Sequence, residues 1–258
     1  MAILTGMELV RILDKAQAVR YQFERNLYGG SAVECPCCGS QFRAFRDYVK
    51  PNRVCWTCGA SERHRALVLF FRDRPELFTP GIRLLHIAPE RPVARAIMRQ
   101  APNINYESGD IEQRFGPLRI DITAMDFSEG VFDAVVANHV MEHVVEDRQA
   151  MSEVFRILKP GAWAVLMIPA IMADVTDEDA TVISPRERER RWQQKDHVRR
   201  YGWDYVDRLR EAGFGAEVYK TEDHVPDADI ERYRLSDPSG PVDSVFLVRK
   251  PGAPVPLP

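Results

Sequence analysis

The sequence predicts an α/β fold, a parallel sheet wrapped by helices, with a small metal-binding module at its amino-terminal side. Three observations carry this expectation. Short apolar runs alternate with helical segments from residue 82 onward. All five cysteines lie between positions 35 and 58, four of them in two Cys-x-x-Cys pairs. A length of 258 residues suits one substantial core plus an attachment. With 45% hydrophobic and 28% charged residues the chain can bury a real core. A net charge of -3 gives no overall drive toward nucleic acid or anionic membrane, which disfavours a general nucleic-acid coater. The most apolar stretch, 162–173, is shorter than the roughly 20 residues of a membrane-spanning helix and contains Pro169. No basic segment followed by an apolar run opens the chain, so a cytoplasmic location and no membrane partner are expected.

Residues 8–28 place Leu9, Ile12, Leu13, Ala16, Val19, Phe23 and Leu27 on one helical face, ended by Gly29 and Gly30. The cysteine segment follows, as C-x2-C-x16-C-x2-C: Cys35 with Cys38, and Cys55 with Cys58. Gly39 and Gly59 follow the two pairs and let each turn aim its amides at sulfur. In a reducing compartment this spacing points to structural zinc held by four thiolates, with a redox dithiol or an iron–sulfur site as competing readings. Cys37 is the spare thiol, and His64 is a conceivable replacement ligand. A closed four-sulfur site leaves no position for an activated water, so the ion is expected to staple a loop too poor in apolar residues to fold alone.

Ser61 then caps a helix running through Ala66 to Phe71 toward Leu77, and Pro80-Gly81 marks a boundary. Beyond it come strands at 82–88, 105–108, 118–120, 132–137 and 162–168, with helices near 93–100 and through Ala150, Met151, Val154, Ile157 and Leu158. The latter stops at Lys159-Pro160-Gly161. A helix at 203–212 and an antiparallel pair at 214–219 and 243–248 complete seven strands. The expected organisation is thus an amphipathic helix at 1–30, a zinc module and linker helix at 31–80, the α/β domain at 81–250, and a proline-rich tail at 251–258 that frays.

In an open α/β sheet the ligand sits beyond the carboxyl ends of the strands. The loop after the first strand, Leu84-Leu85-His86-Ile87-Ala88-Pro89-Glu90-Arg91-Pro92, lacks a glycine-rich phosphate turn. Pro89 and Pro92 remove amide donors, and Glu90 repels a pyrophosphate. This argues against a dinucleotide and for a cofactor without phosphate. Glu90, Asp110 and Asp121 follow three successive strands, where carboxylates accept hydrogen bonds from ribose hydroxyls, an adenine amino group or a cationic amine. Each acid alone is more often a helix cap or a solvated loop residue.

The stretch Phe132-Asp133-Ala134-Val135-Val136-Ala137-Asn138-His139-Val140-Met141-Glu142-His143, with Arg156-Ile157-Leu158-Lys159-Pro160-Gly161, resembles class I S-adenosylmethionine-dependent methyltransferases of the bacterial small-molecule type. The cysteine pairs, Ser61-Glu62-Arg63-His64-Arg65, His86-Ile87-Ala88-Pro89-Glu90 and Asp196-His197-Val198-Arg199-Arg200-Tyr201-Gly202 resemble a subgroup with an amino-terminal four-cysteine zinc module. The resemblance implies a Rossmann-like seven-stranded methyltransferase sheet whose last strand is antiparallel. It implies S-adenosylmethionine as cofactor, with Ala88, Pro89 and Glu90 beside its methionine part, Asp110 near the ribose and Asp121 with Ile122 against adenine. Asn138 and His139 would form the floor facing the acceptor. Ala88 and Glu90 stand where the family usually carries glycine.

Methyl transfer needs alignment, and a base when the acceptor bears a proton. His139 and His197 are the candidate bases; His143 reads more simply as structural. Asp196 is expected to orient His197, and Arg199 and Tyr201 to hold an acidic or hydroxylated substrate. The insertion at 173–201 reads as a lid, with Ser184 capping a helix whose charge run is a solvated face. The expected acceptor is the oxygen or nitrogen of a small polar molecule or a modified peptide. The alternative is a zinc-module-guided methyltransferase, or an inactive binding protein, acting on RNA or protein. That alternative needs a contiguous basic face of Arg43, Arg46, Lys50, Arg53, Arg63 and Arg65.

Overall fold

The computed structural model describes residues 27–236 and 242–252. Of the expected opening helix only Leu27 and Tyr28 fall among them, and the end of the tail, 253–258, lies outside.

The cysteine segment folds into two small hairpins. β1 (Gly29–Glu34) pairs with β2 (Gln41–Phe42), and β3 (Arg46–Tyr48) with β4 (Lys50–Val54), both antiparallel. The two knuckles repeat one another. Gly39 N–H donates to Cys35 O and Gly59 N–H to Cys55 O, with both glycines at positive φ, 74° and 77°. That left-handed conformation is why glycine follows each pair.

Helix α1 (Glu62–Asp73) joins the module to the sheet because it has two apolar faces. Val68 packs with Val33, Phe42 and Phe45 of the hairpins, while Leu67, Phe70 and Phe71 belong to the main core. Buried Arg65 fastens the joint, donating to Ala60 O at 2.7 Å and Arg234 O at 2.7 Å. Arg72 and Arg99 cap carbonyls of Pro36 and Cys37 in the first knuckle.

Seven strands make the main sheet: β5 (Arg83–Ile87), β6 (Asn105–Asp110), β7 (Leu118–Arg119), β8 (Phe132–Asn138), β9 (Leu158–Met167), β12 (Gly215–Lys220) and β13 (Ser244–Arg249). Their spatial order is β12-β13-β9-β8-β5-β6-β7, parallel except at β13, which runs antiparallel to both neighbours. Alternation along the strands feeds two layers. Leu85 and Val135 face a core with Met151, Leu166 and Tyr205, whereas Leu84, Ala134 and Val136 face Phe70, Phe71 and Trp163. Burial on both faces explains why residues 134–137 of β8 read as a continuous apolar run. The helices are α2 (Arg91–Gln100), α3 (Asp147–Ile157), α4 (Pro185–Trp192), α5 (Tyr205–Glu211), α6 (Thr221–His224) and α7 (Asp227–Tyr233). A short pair, β10 (Asp177–Glu178) with β11 (Arg199–Arg200), closes the base of the insertion.

One boundary differs from expectation. Helix α3 ends at Ile157, just before Lys159-Pro160-Gly161 as expected, but β9 begins at Leu158 rather than at residue 162, so these three residues belong to the strand. Tertiary contacts draw them into the sheet. Lys159 Nζ bonds Asp133 of β8 at 2.8 Å, and Gly161 N–H donates to Lys250 O. The sequence also gave no sign of α6 and α7, too short for helical periodicity to register.

At the far edge, Gly109 sits where β6 and β7 pair, and a Cβ there would lie 2.3 Å from Leu118 O. Gly109→Ala is therefore expected to lower stability by about 1–3 kcal/mol by forcing the strands apart, read as a lower urea midpoint at unchanged slope.

Candidate active site

The four named cysteines converge. Sγ of Cys35 lies 3.6 Å from that of Cys58, and Sγ of Cys38 lies 3.7 Å from that of Cys55. Tetrahedral zinc with Zn–S bonds of about 2.3 Å separates its sulfurs by about 3.8 Å, so this cluster fits such an ion. The sulfurs of Cys35 and Cys38, with burial, push the Cys55 and Cys58 thiols up, a repulsion that a divalent cation removes. Cys37 stands aside and points to His64 O.

Strand order reverses between β5 and β8, with β6 beyond one and β9 beyond the other, so a crevice opens at their carboxyl ends. The residues just past each strand, Ala88 and His139, hold φ of 48° and 53°. Left-handed backbone at two non-glycine positions on adjacent loops is strain of the kind found at binding sites. It lets the β5 loop turn sharply at an alanine.

Glu90 organises this crevice. It accepts from Asn138 Nδ2 at 2.7 Å, and His64 Nε2, His86 Nε2 and Arg63 Nε lie 3.3, 3.7 and 3.9 Å from its oxygens. His64 Nδ1 accepts the Ser61 N–H at 3.0 Å, which leaves the Nε2 proton aimed at Glu90. Burial raises the Glu90 carboxyl, but the imidazoles of His64 and His86 outweigh it and hold the group well below the usual range. His64 comes from the linker helix, 26 residues upstream of Glu90 and beside the cysteine module. The segment 62–65 is thus a hand reaching into the crevice, not merely a charged helix start.

Several buried polar atoms here have no hydrogen-bond partner: Glu90 Oε2, Asn138 Oδ1, His139 Nε2 and Arg63 Nε. Buried orphans clustered at one crevice mark where a polar ligand completes the pairing. A cationic methionine amine is a matching donor for the two acceptor oxygens, so the residues fit S-adenosylmethionine.

The remaining acids are arranged differently. Asp110, buried at the end of β6, accepts the N–H groups of Glu112, Arg114 and Phe115 at 2.9, 3.1 and 2.8 Å. Those amides outweigh burial and depress its pKa while shaping the loop beside the crevice. Asp121 is exposed and bonds Thr123; Ile122 is buried next to it. Pro89 precedes Glu90 at the entry to α2.

On the opposite side, His139 Nδ1 lies 3.2 Å from Glu142 Oε1, and His143 and His197 stack edge to face at 4.8 Å. Two substrate-side expectations fail. Asp196 approaches His143 Nδ1 at 3.5 Å, while His197 Nδ1 instead meets Trp192 O at 3.1 Å. Arg199 and Tyr201 face inward. Arg199 bonds Glu178 and the carbonyls of Met141, Val144 and Val145, and Tyr201 donates to Asp147 at 2.7 Å. They lock the insertion to the sheet, because buried guanidinium groups go where carbonyls and carboxylates await them. Within the insertion Ser184 stands at the N-cap position of α4 but its side chain makes no capping hydrogen bond, and the helix's charge run is a solvated face, with Arg191 paired to Asp177 and Asp179.

Sequence reasoning gave no separate site role to His86, Glu142 and Asp243, and considered His64 as a zinc ligand and Arg63 as part of a basic face. Asp243, buried just before β13, is raised by desolvation and electrostatically coupled to His139. A charged or imidazole residue inside an apolar strand, such as His86, was the available signal.

The sheet order, with its one antiparallel strand, and the crevice at the switch point define a class I, Rossmann-like methyltransferase fold. Residues 90–166 match the family model described as a methyltransferase domain. A search of curated proteins found no match. Among solved structures, the cyclase SpnF is 16% identical with a TM-score of 0.50, over 81% of this chain and 87% of that one. A SAM-dependent methyltransferase from Archaeoglobus fulgidus is 14% identical with a TM-score of 0.49, over 72% and 94%. Phosphoethanolamine N-methyltransferase 2 of Haemonchus contortus, in complex with S-adenosyl-L-methionine, is 13% identical with a TM-score of 0.48, over 72% and 52%. Such distant likeness speaks to fold alone.

Proposed function

We propose that the chain transfers a methyl group from S-adenosylmethionine to an oxygen or nitrogen of a small polar molecule or modified peptide, with zinc in the four-cysteine site as a structural ion. The carrying observation is the set of orphaned buried atoms of Glu90, Asn138 and His139 at the ends of β5 and β8. When bound, the cofactor supplies an electrophilic methyl on a sulfonium that leaves as a neutral thioether. Ala88, Pro89 and Glu90 are assigned to its methionine end, Asp110 to the ribose loop, Asp121 and Ile122 to the adenine side, and Asn138 to the floor.

His139 and His197 are the proposed proton acceptors. His139 has the better support: Glu142 faces its Nδ1 and its Nε2 is buried without a partner. A carboxylate behind an imidazole steadies the tautomer whose free nitrogen takes a proton. Against the RNA-directed alternative stand Arg65, which is buried, Arg53, which pairs with Glu62, and Arg63, which turns to Glu90. Incubation with methyl-labelled S-adenosylmethionine and a panel of hydroxylated and amino compounds tests the reading. Label is expected in O- or N-methyl products, whereas label confined to RNA would overturn it.

A further inference from the structure

Glu142, His143 and His197 lie together with one ligand atom from each within 4.8 Å of the others, outside the cysteine cluster. Two imidazoles and one carboxylate are the donor set of mononuclear sites for divalent transition ions that keep open positions. The details around each donor agree. Glu142 is 1% exposed; its Oε1 faces His139 Nδ1 at 3.2 Å, and its Oε2 has no hydrogen-bond partner. Burying a carboxylate whose second oxygen is unpaired is costly, so a cation at Oε2 is the natural complement. The carbonyl of Trp192 takes the Nδ1 proton of His197, fixing the tautomer whose Nε2 lone pair is free. Asp196 lies beside His143 Nδ1, the outer carboxylate that often steadies a ligating histidine. His143 is 33% exposed, so the group opens on one side.

Ligand atoms around a divalent ion with bonds of about 2.1 Å stand roughly 3–4 Å apart, within a side-chain adjustment of the observed grouping. The group belongs to the turn at Met141–His143, just beyond the carboxyl end of β8, and to the insertion, so it borders the acceptor side of the crevice.

We propose that Glu142, His143 and His197 form a second metal site, for a divalent transition ion, whose open positions receive the oxygen of the methyl acceptor. This rests on the methyltransferase reading and refines it. His197 becomes a ligand, and His139 alone takes the proton. An acceptor hydroxyl held by the ion loses its proton to His139 Nε2. Its oxygen then forms the bond to the methyl carbon while the sulfur–methyl bond breaks, the electron pair stays on sulfur as a thioether, and the products are a methyl ether and S-adenosylhomocysteine. The acceptor class is therefore an oxygen nucleophile able to ligate metal, such as a phenol or a hydroxy acid.

The test titrates Co2+ into full-length protein whose cysteine site is already filled with zinc. One additional Co2+ per chain is expected, with visible d–d bands but no sulfur-to-metal charge transfer. His143→Ala, His197→Ala and Glu142→Gln are each expected to weaken it at least about tenfold while zinc content and far-UV circular dichroism stay unchanged. No additional Co2+, Zn2+ or Ni2+ bound by the wild-type chain at about a hundredfold excess overturns the proposal, whatever the variants do. Additional ion that survives all three substitutions overturns it too, since it sits elsewhere. S-adenosylhomocysteine binding is measured on the same samples. If that product binds but no second ion does, the metal site falls and the methyltransferase reading stands; if the ion binds and the product does not, the reverse holds.

Discussion

Stripping the metal from the cysteine module, by chelation or by Cys55→Ser, is expected to weaken S-adenosylhomocysteine binding about 10- to 100-fold while the seven-stranded sheet stays folded. Structural zinc contributes folding free energy outright, on the order of 10 kcal/mol in small modules, so the hairpins of residues 29–54 are expected to melt without it. Helix α1 survives in part, because Leu67, Phe70 and Phe71 are anchored in the main core. Its first turn does not, since Arg65 is held by carbonyls of Arg53 and Ala60 in the module. His64 then leaves Glu90, and a buried carboxylate that loses a donor costs about 1–3 kcal/mol, which is the predicted loss of affinity. Calorimetry on metal-replete and stripped protein, with far-UV circular dichroism as the folding control, reads this out. Unchanged affinity would show that the module is independent of the crevice.

His139→Ala is expected to lower kcat about 10²- to 10⁴-fold, the usual range for a lost general base. S-adenosylhomocysteine affinity should change far less, because the backbone of this loop is held separately: His139 N–H donates to Met167 O at 2.8 Å. Glycine at 139 would relax the positive φ as well, so Ala is the cleaner replacement. Normal turnover in single-turnover assays of His139→Ala would assign the rate to alignment alone.

Much of the architecture was legible because its signals are local. The two knuckles carry their spacing and their glycines in the sequence, and β8 carries burial on both faces as the apolar run 134–137. The site was legible only where one strand end defines it, as at Asn138 and His139. The role of Glu90 was not. Its acidity reads as a cofactor contact, but the partners that position it, Asn138 of β8 and His64 of the linker helix, could not be read, because no periodicity links residues 64, 90 and 138. The same holds for Arg199 and Tyr201, which look like substrate ligands until Glu178, Asp147 and three loop carbonyls are seen to claim them. Lys159-Pro160-Gly161 mark the end of α3 but hide the start of β9, because the ladder to β8 and the bond to Lys250 draw them into the sheet.

The central claim is that the crevice between β5 and β8 receives the adenosyl sulfonium cofactor through Glu90 and Asn138. Calorimetric titration of S-adenosylhomocysteine into the metal-replete chain and into Asn138→Ala tests it most directly. One molecule bound per wild-type chain, weakened at least about tenfold by the substitution, is the predicted result. No heat with the wild-type protein, or equal affinity in both, would contradict the account.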